Sequence, residues 1–211
     1  RSIVFFKGCP LDCVWCHNPE TKEVSYELYY EKTKCIRCES CVGTCPRNAI
    51  SFADDNFVDR DACRRCFQCV DVCPPNALSR AGKEMPEDEI VRKLRRYKPF
   101  FDTSGGGVTL SGGEPCLHMD FISSLCRSFR EEGIHILLET CGLFDLGRFE
   151  ELVLPFITEI YFDIKFISSR VHKKYCGVEN ERILENFSRL QRKSITDGLK
   201  LTPRTPLIPN I

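Results

Sequence analysis

Three closely spaced cysteines near the start restrict what this chain can fold into. The loop that holds Cys9, Cys13 and Cys16 reads CPLDCVWC, and it follows an apolar run over Ile3 to Phe6. That run predicts a buried strand. Three thiolates at C-x3-C-x2-C spacing can hold three irons of an iron–sulfur cubane, which leaves the fourth iron without a protein ligand. An open coordination position is typical of a metal site where chemistry takes place.

Two other interpretations of this loop fit it less well. A structural zinc site needs a fourth ligand. His17 is the nearby candidate, but it directly follows Cys16 and is poorly placed to close a tetrahedron. A disulfide framework would leave one of the three cysteines unpaired.

A second cysteine pattern is an internal repeat. Two segments with the spacing C-x2-C-x2-C-x3-C-P stand 28 residues apart, with Cys35, Cys38, Cys41 and Cys45 in the first and Cys63, Cys66, Cys69 and Cys73 in the second. In bacterial two-cluster ferredoxins each segment's fourth cysteine serves the other cluster. The pattern therefore predicts one cluster on Cys35, Cys38, Cys41 and Cys73, and a second on Cys63, Cys66, Cys69 and Cys45.

Two alternatives to an electron-relaying pair of clusters remain open. Structural zinc is one, although eight cysteines in register favour clusters. The other is a structural staple without a redox role, because cluster binding supplies folding free energy to so small a unit. The other four cysteines, Cys116, Cys126, Cys141 and Cys176, lack ligand spacing and are assigned no cluster role.

Composition limits the class of protein. With 211 residues, 42% of them hydrophobic, the chain can form one large domain or one domain with an insert. Basic and acidic residues both number 30, which disfavours a nucleic-acid binder. The 15 cysteines fall mainly in C-x2-C runs, so we expect a reducing, anaerobic cytoplasm. No stretch approaches the ~20 apolar residues of a membrane span, and no signal peptide is recognisable. The chain starts at Arg1, so we expect residues before it to be missing.

After Gly82 the apolar pattern alternates between helices and strands. Strands are predicted at 108–110, 134–138, 160–164 and from about 199, with amphipathic helices between them. This alternation predicts right-handed parallel βαβ units and most of an α/β barrel. We expect residues 1–30 and 81–211 to form the barrel, and residues 31–80 to form the insert.

Polar residues follow the predicted strands, at the edge where parallel barrels place their chemistry. The groups are Ser111-Gly112-Gly113-Glu114-Pro115, Glu139-Thr140-Cys141-Gly142 and Asp163-Ile164-Lys165. Glycines allow a ligand to approach the backbone closely, although two glycines alone also mark a tight turn. Alternation sends Asp163 and Lys165 to one face. There they either meet a ligand or satisfy each other together with Glu139.

The motifs in combination resemble the activating enzymes of glycyl radical enzymes, a branch of the radical S-adenosylmethionine (SAM) enzymes. The resemblance covers essentially the whole chain and rests on the cluster loop, the ferredoxin-like repeat, GGGVTLSGGEP at 105–115, DIK at 163–165 and RTPLIP at 204–209. It implies a partial TIM-like (β/α)6-type radical SAM barrel with an inserted bacterial-ferredoxin-like α+β domain. The family's last strand, with a histidine-bearing loop, is absent, so we expect the barrel to be incomplete at its C-terminus.

The resemblance also implies roles for residues. SAM's amino and carboxylate groups would chelate the open iron, and Trp15 would lie near the adenine, if it is not simply a packing residue. The remaining implied SAM-binding residues are Gly112, Gly113 and Glu114 at the amino group, Asp163 and Lys165 around the carboxylate and sugar, and Arg204 pointing into the site. Glu139 and Thr140 would hold a monovalent cation together with Asp163.

The implied activity is radical generation. The reduced cluster on Cys9, Cys13 and Cys16 would cleave SAM into methionine and a 5′-deoxyadenosyl radical, which takes a hydrogen atom from a backbone glycine of a glycyl radical enzyme. Three 4Fe–4S clusters, SAM and an electron donor such as flavodoxin or ferredoxin are expected. The alternatives are a radical SAM enzyme acting on a small molecule or peptide, and an iron–sulfur electron-transfer protein.

Overall fold

The chain divides into two compact units in a computed structural model that describes residues 1–53, 57–209 and 211. The first unit comprises Arg1–Val24 and Met85–Ile211, and the second comprises Ser25–Glu84. The predicted insert, 31–80, starts later than the second unit because the strand at Glu27–Tyr30 pairs inside that unit. Residues 54–56 of the predicted insert and residue 210 of the predicted barrel lie outside the described residues.

The described residues alternate between strands and helices. The strands are β1 Ser2–Phe6, β2 Glu27–Tyr30, β3 Leu78–Ala81, β4 Val108–Gly112, β5 Ile136–Thr140, β6 Glu159–Asp163 and β7 Lys200–Arg204. The α-helices are α1 Ser40–Thr44, α2 Gln68–Asp71, α3 Glu87–Arg95, α4 Lys98–Ser104, α5 Met119–Glu131, α6 Leu146–Leu152, α7 Ser169–Cys176 and α8 Glu181–Asp197. In the first unit the strands form a parallel sheet in the order β1-β4-β5-β6-β7. This confirms the predicted α/β fold, a partial barrel of parallel strands with connecting helices.

One face of this sheet is the hydrophobic core. Its side chains include Val108, Leu110, Leu138, Ile160 and Phe162, which are all inaccessible to solvent. The apolar stripe of α5 belongs to the same cluster and contributes Ile122, Leu125 and Phe129. Continuous burial of β-branched and large apolar residues on this face explains why the strands are apolar in sequence.

The opposite face of the sheet carries polar residues. Paired residues of neighbouring strands point to the same side, and on this face the pairs are Phe5 with Ser111, Glu139 with Tyr161, and Asp163 with Arg204. The prediction that the first strand is buried is therefore wrong in part. Ile3 and Phe5 are each 52% exposed because they lie on this polar face, whereas Phe6 is in the core.

Local signals define the helix ends near the site. The side chain of Asp145 accepts a hydrogen bond from the Arg148 amide and so caps α6. Helices α7 and α8 end at Gly177 and Gly198, whose φ values of 84° and 73° suit glycine. None of the helices in the described part of the chain combines the length and apolar character that crossing a membrane requires.

The second unit has its own antiparallel pair of strands, β2 and β3, and its own apolar cluster. Its backbone repeats as its cysteines do. Left-handed φ values occur at residues 28 positions apart, namely Arg37 and Arg65, Glu39 and Phe67, and Asn48 and Asn76. Since non-glycine residues seldom adopt this conformation, the repeated strain indicates that both halves bend their cysteine loops in the same way.

Candidate active site

The loop of Cys9, Cys13 and Cys16 is held by backbone hydrogen bonds on both sides. On one side the amides of Gly8 and Cys9 donate to the carbonyls of Thr21 and Lys22, at 2.8 and 2.9 Å. On the other side the amides of Asp12 and Val14 donate to Cys176 and Tyr175 at the end of α7, at 2.8 and 3.0 Å. The loop conformation is therefore fixed from both sides, by the segment that follows it and by the distant end of α7, and its three thiols lie half-buried or buried.

Two further cysteines contact this loop, and the sequence analysis missed them. The Cys141 thiol donates to the Cys9 sulfur, which lowers the pKa of Cys9. The Cys13 thiol donates to Cys176, and this contact together with burial raises the pKa of Cys13. Spacing cannot reveal such neighbours, but Cys141 directly follows β5, at the edge of the sheet where the site was expected.

Trp15 lies in an aromatic cluster rather than alone on the loop. Its ring is 5.7 Å from that of Phe166 and 6.3 Å from that of Tyr175, measured between centroids. The Phe166 and Tyr175 rings are themselves 5.7 Å apart. Packing therefore orients Trp15, and the ring remains partly accessible to solvent.

Gly112 and Gly113 let the end of β4 approach the cluster loop. A Cβ atom on Gly112 would lie 2.5 Å from the backbone of Phe6, and one on Gly113 would lie 2.1 Å from the Gly8 carbonyl oxygen. Gly112 also has a φ of 106°, which side chains disfavour. Two backbone hydrogen bonds stabilise this contact, from the Gly113 amide to the Phe6 carbonyl and from the Glu114 amide to the Gly8 carbonyl. The close approach that these glycines permit is thus to the protein backbone.

The Glu114 carboxylate is fully buried and bound by protein donors. It accepts hydrogen bonds from the Cys116 amide at 2.9 Å, the Cys141 amide at 2.7 Å and the Thr140 hydroxyl at 2.9 Å. These donors come from the turn after β4 and from the end of β5. Glu114 therefore fastens two strand ends together, and its side chain is not open to a ligand in this structure.

Four charged side chains form a network on the polar face of the sheet. Arg204 donates to Asp163 and to Glu139, both at 2.8 Å, and Lys165 donates to Asp163 at 2.9 Å. Ser111 donates to the second oxygen of Glu139 at 2.6 Å. Burial opposes the charge of Arg204, but its hydrogen bonds and charge interactions with Asp163 and Glu139 outweigh burial and raise its pKa.

The network is neutral and close to the cluster loop. Its two carboxylates balance its two cations, as the self-satisfied alternative anticipated, and the positive charge of Lys165 acts on the Cys13 thiol. Thr140 is not part of it. Neighbouring residues on a strand point to opposite faces, and the Thr140 hydroxyl is committed to Glu114 while Glu139 faces the network.

The eight cysteines of the second unit line two cavities in the crossed arrangement expected from their spacing. Cys35, Cys38, Cys41 and Cys73 line the first cavity, together with Tyr30, Phe52 and Phe57. Cys45, Cys63, Cys66 and Cys69 line the second cavity, together with Arg47, Arg64 and Arg65. Amide hydrogens donate to sulfurs in both cavities, for example from Arg37 to Cys35 at 3.4 Å and from Ala49 to Cys45 at 3.3 Å.

Each cavity offers the donor set of a cubane, four thiols with amide donors to sulfur. Within the described ranges no three His, Cys, Asp or Glu side chains converge as ligands of a single metal ion do. A cubane places its thiolates at separate irons, so a shared cavity is the arrangement to expect for one. The residues present therefore fit two clusters.

The comparisons with known proteins identify the family. The model of the radical SAM superfamily matches residues 3–211. The chain belongs to the radical SAM superfamily. As a radical SAM enzyme it uses a 4Fe–4S cluster and SAM, and the three thiols of the Cys9–Cys16 loop are the donor set that such a cluster needs. The family predicted from the motifs is confirmed.

Curated relatives of this radical SAM enzyme are activating enzymes. It is 39% identical to the trans-4-hydroxy-L-proline dehydratase activating enzyme of Clostridioides difficile, over 100% of this chain and 69% of the relative. It is 39% identical to the isethionate sulfite-lyase activating enzyme of Nitratidesulfovibrio vulgaris, over 99% of this chain and 69% of the relative. It is 35% identical to the benzylsuccinate synthase activating enzyme of Thauera aromatica, over 99% of this chain and 64% of the relative.

Proposed function

We propose that this radical SAM enzyme activates a glycyl radical enzyme by removing a hydrogen atom from one of its backbone glycines. The observation that carries the proposal is the juxtaposition of the three-cysteine loop with a charged network at the strand ends. When bound, the cluster supplies one electron and SAM supplies the radical. Relatives that activate glycyl radical enzymes of different chemistry support the activity and leave the partner enzyme open.

The charged network suits the two ends of SAM. Lys165 and Arg204 are cations of the kind that bind a carboxylate, and the carboxylates of Asp163 and Glu139 suit an ammonium group or sugar hydroxyls. Trp15 offers an aromatic surface for the adenine. Because the Glu114 side chain is committed to Thr140, Cys116 and Cys141, we assign the Gly112–Glu114 segment a role through its backbone. A monovalent cation beside Glu139, Thr140 and Asp163 stays a prediction from the resemblance.

The second unit acts as an electron relay with two further 4Fe–4S clusters. The two four-cysteine cavities support this assignment. The relay accepts electrons from a protein donor such as flavodoxin or ferredoxin. Anaerobically reconstituted full-length protein should then contain about 12 iron atoms per chain, since each of three cubanes holds four. A content of about four iron atoms per chain would account for the Cys9–Cys16 cluster alone and would contradict the relay.

Deuterium transfer tests the activation step itself. The full-length enzyme is mixed with SAM, a chemical reductant and a glycyl radical enzyme whose glycines carry deuterium. We expect deuterium in the 5′-deoxyadenosine and a glycyl radical signal by electron paramagnetic resonance (EPR). SAM cleavage without deuterium transfer to any partner, but with transfer from a labelled small molecule or peptide, would favour the alternative class of radical SAM enzyme. Absence of SAM cleavage with intact clusters would contradict catalysis altogether.

A further inference from the structure

The two four-cysteine cavities differ in charge although their cysteines repeat. Three arginines line the second cavity, Arg47, Arg64 and Arg65, whereas the one charged residue among those that line the first is Glu39. At the positions 28 residues away from Arg64 and Arg47, the first repeat has Ile36 and the second has Pro75. The cationic lining is therefore a feature of one cavity and not of the repeat.

Arg65 has a counterpart in the first repeat, Arg37, and the two side chains have different partners. Arg65 is paired with Glu27 at 3.6 Å and with Ser25, so its charge is partly neutralised. Its counterpart Arg37 lies with its guanidinium 4.9 Å from the centre of the Phe52 ring, at the side of the first cavity. Arg65 and Arg37 are both cations, so the difference between the cavities rests on Arg64, Arg47 and Glu39, whose counterparts 28 residues away are uncharged.

Arg64 lines the second cavity together with the exposed Cys66. The Gln68 amide and the positive charge of Arg64 both favour negative charge on the Cys66 sulfur. The equivalent thiol, Cys38, accepts from the hydroxyl and the amide of Ser40. A positive charge therefore lies beside Cys66, whereas only neutral donors lie beside Cys38.

The first cavity also has hydrogen-bond donors to sulfur that favour a reduced cluster, but these donors are neutral. Besides Ser40, the Tyr30 hydroxyl donates to Cys35, which raises the pKa of Tyr30 to about 12. Hydrogen bonds to sulfur and positive charge both favour the reduced cluster, since reduction adds one electron. A charge-assisted hydrogen bond is roughly twice as strong as a neutral one. Arg47 adds a further cation in the second cavity, and Glu39 opposes reduction in the first.

Resting on the proposed two-cluster relay, we infer that Arg64 raises the reduction potential of the cluster on Cys45, Cys63, Cys66 and Cys69 above that of the cluster on Cys35, Cys38, Cys41 and Cys73. Arg64 is a positioning residue of the relay that acts through Cys66. An electron shared between the two clusters then resides on the Arg64 side.

Redox titration of the full-length holoenzyme, followed by EPR with and without SAM, tests this inference. SAM changes the signal of the Cys9–Cys16 cluster and so separates it from the other two. We expect Arg64→Gln, which retains an N–H donor but loses the charge, to lower the higher of the two remaining midpoint potentials. A tenfold change in the electron's distribution corresponds to about 59 mV for a one-electron couple. Arg64→Lys should retain most of the wild-type value, and Ile36→Arg should raise the lower midpoint.

The outcomes separate the inference from the function on which it rests. Unchanged midpoints in Arg64→Gln and Ile36→Arg, each with about 12 iron atoms per chain, would overturn the role of Arg64 and leave the relay intact. A fall in the lower midpoint of Arg64→Gln would also overturn it, because the assignment of the two clusters would be reversed. Wild-type protein with about four iron atoms would instead contradict the relay itself. If Arg64→Gln fails to take up iron, Ile36→Arg alone decides the matter, and an unshifted midpoint there contradicts the inference.

Discussion

The two cysteine regions of this enzyme position their thiols in different ways. In the second unit each cavity has four cysteines, and the amide donors to Cys35 and Cys45 come from residues only two and four positions along the chain. The Cys9–Cys16 loop has three cysteines, and its neighbours Cys141 and Cys176 come from distant elements. The amide donors to sulfur in the second unit thus come from nearby residues of the chain, whereas the neighbours of the three-cysteine loop are brought to it by tertiary packing.

Removing one cysteine from each region should give the largest difference between the two regions. Cys16→Ala should abolish SAM cleavage with any reductant, because the cluster that reduces SAM loses a ligand. Cys69→Ala should slow cleavage driven by a protein donor, but should retain much of it with a small chemical reductant that reaches the Cys9–Cys16 cluster directly. The measurement is 5′-deoxyadenosine formation by the full-length protein under both reductants.

Circular dichroism and iron content are the controls for this pair of variants, since a lost ligand also removes folding free energy. A folded Cys69→Ala protein that is inactive with the chemical reductant would mean that the second unit does more than pass on electrons. Cleavage by Cys16→Ala would mean that the site of SAM reduction lies elsewhere.

The same contrast explains which features could be predicted from sequence. The crossed cysteine sets follow from the repeated spacing, because in two-cluster ferredoxins the fourth cysteine of each repeat serves the other cluster. The pairing of Asp163 with Lys165 follows from strand alternation. The role of Glu114 does not, since its partners Thr140 and Cys141 are brought to it by the packing of β5 against β4.

Strand predictions failed for the same reason. The predicted insert begins at residue 31 and so leaves out Glu27–Tyr30, yet this segment forms β2, because its partner β3 lies far along the chain and stabilises it there. The apolar residues Ile3 and Phe5 suggested a buried strand. Their exposure depends on which face of the sheet carries the charged network, and the apolar composition of the strand does not indicate that face.

Glu114→Ala tests whether the open site depends on tertiary contacts. The change leaves the amides of Cys116 and Cys141 and the Thr140 hydroxyl without their buried acceptor. We expect a loss of about 3 kcal/mol or more of stability, since each unsatisfied buried donor costs roughly 1–3 kcal/mol. Thermal unfolding of the holoenzyme, followed by circular dichroism, measures the effect.

Two matched variants accompany it. Glu114→Gln retains the shape and one acceptor oxygen, so its effect should be intermediate. Asp145→Ala removes the exposed cap of α6 and should cost about 1 kcal/mol. A Glu114→Ala protein no less stable than Asp145→Ala would show that the strand ends hold together without this carboxylate.

Arg204→Gln tests the charged network through SAM affinity. The variant leaves Asp163 and Glu139 without the guanidinium that bridges them, so their repulsion should disturb the site proposed for SAM. We expect SAM binding to weaken about 5- to 150-fold, which corresponds to roughly 1–3 kcal/mol. Calorimetry under anaerobic conditions measures it, with the exposed Lys173→Gln as control. Equal affinities in wild type and Arg204→Gln would mean that the network only satisfies itself.

A surface ion pair between Lys22 and Asp12 also holds the cluster loop. The Asp12 side chain is 79% exposed, so we expect this contact to contribute little stability. The hydrogen bond with Asp12 raises the pKa of Lys22. The pair therefore stabilises the fold fully below the pKa of lysine in the unfolded chain, and loses this effect as pH rises through the higher folded value. We expect Asp12→Asn to cost no more than about 1 kcal/mol at neutral pH after solvent screening.

High salt distinguishes the contribution of this ion pair from that of the backbone hydrogen bonds of the same loop. The Asp12 amide still donates to Cys176 in Asp12→Asn, because the substitution changes the side chain alone. At about 1 M salt, where the Debye length is roughly 3 Å, wild type and Asp12→Asn should unfold at the same temperature. A difference that persists in high salt, or that grows above the pKa of Lys22, would show that Asp12 holds the loop by something other than its charge. The open site would then depend on its own local sequence more than its distant contacts indicate.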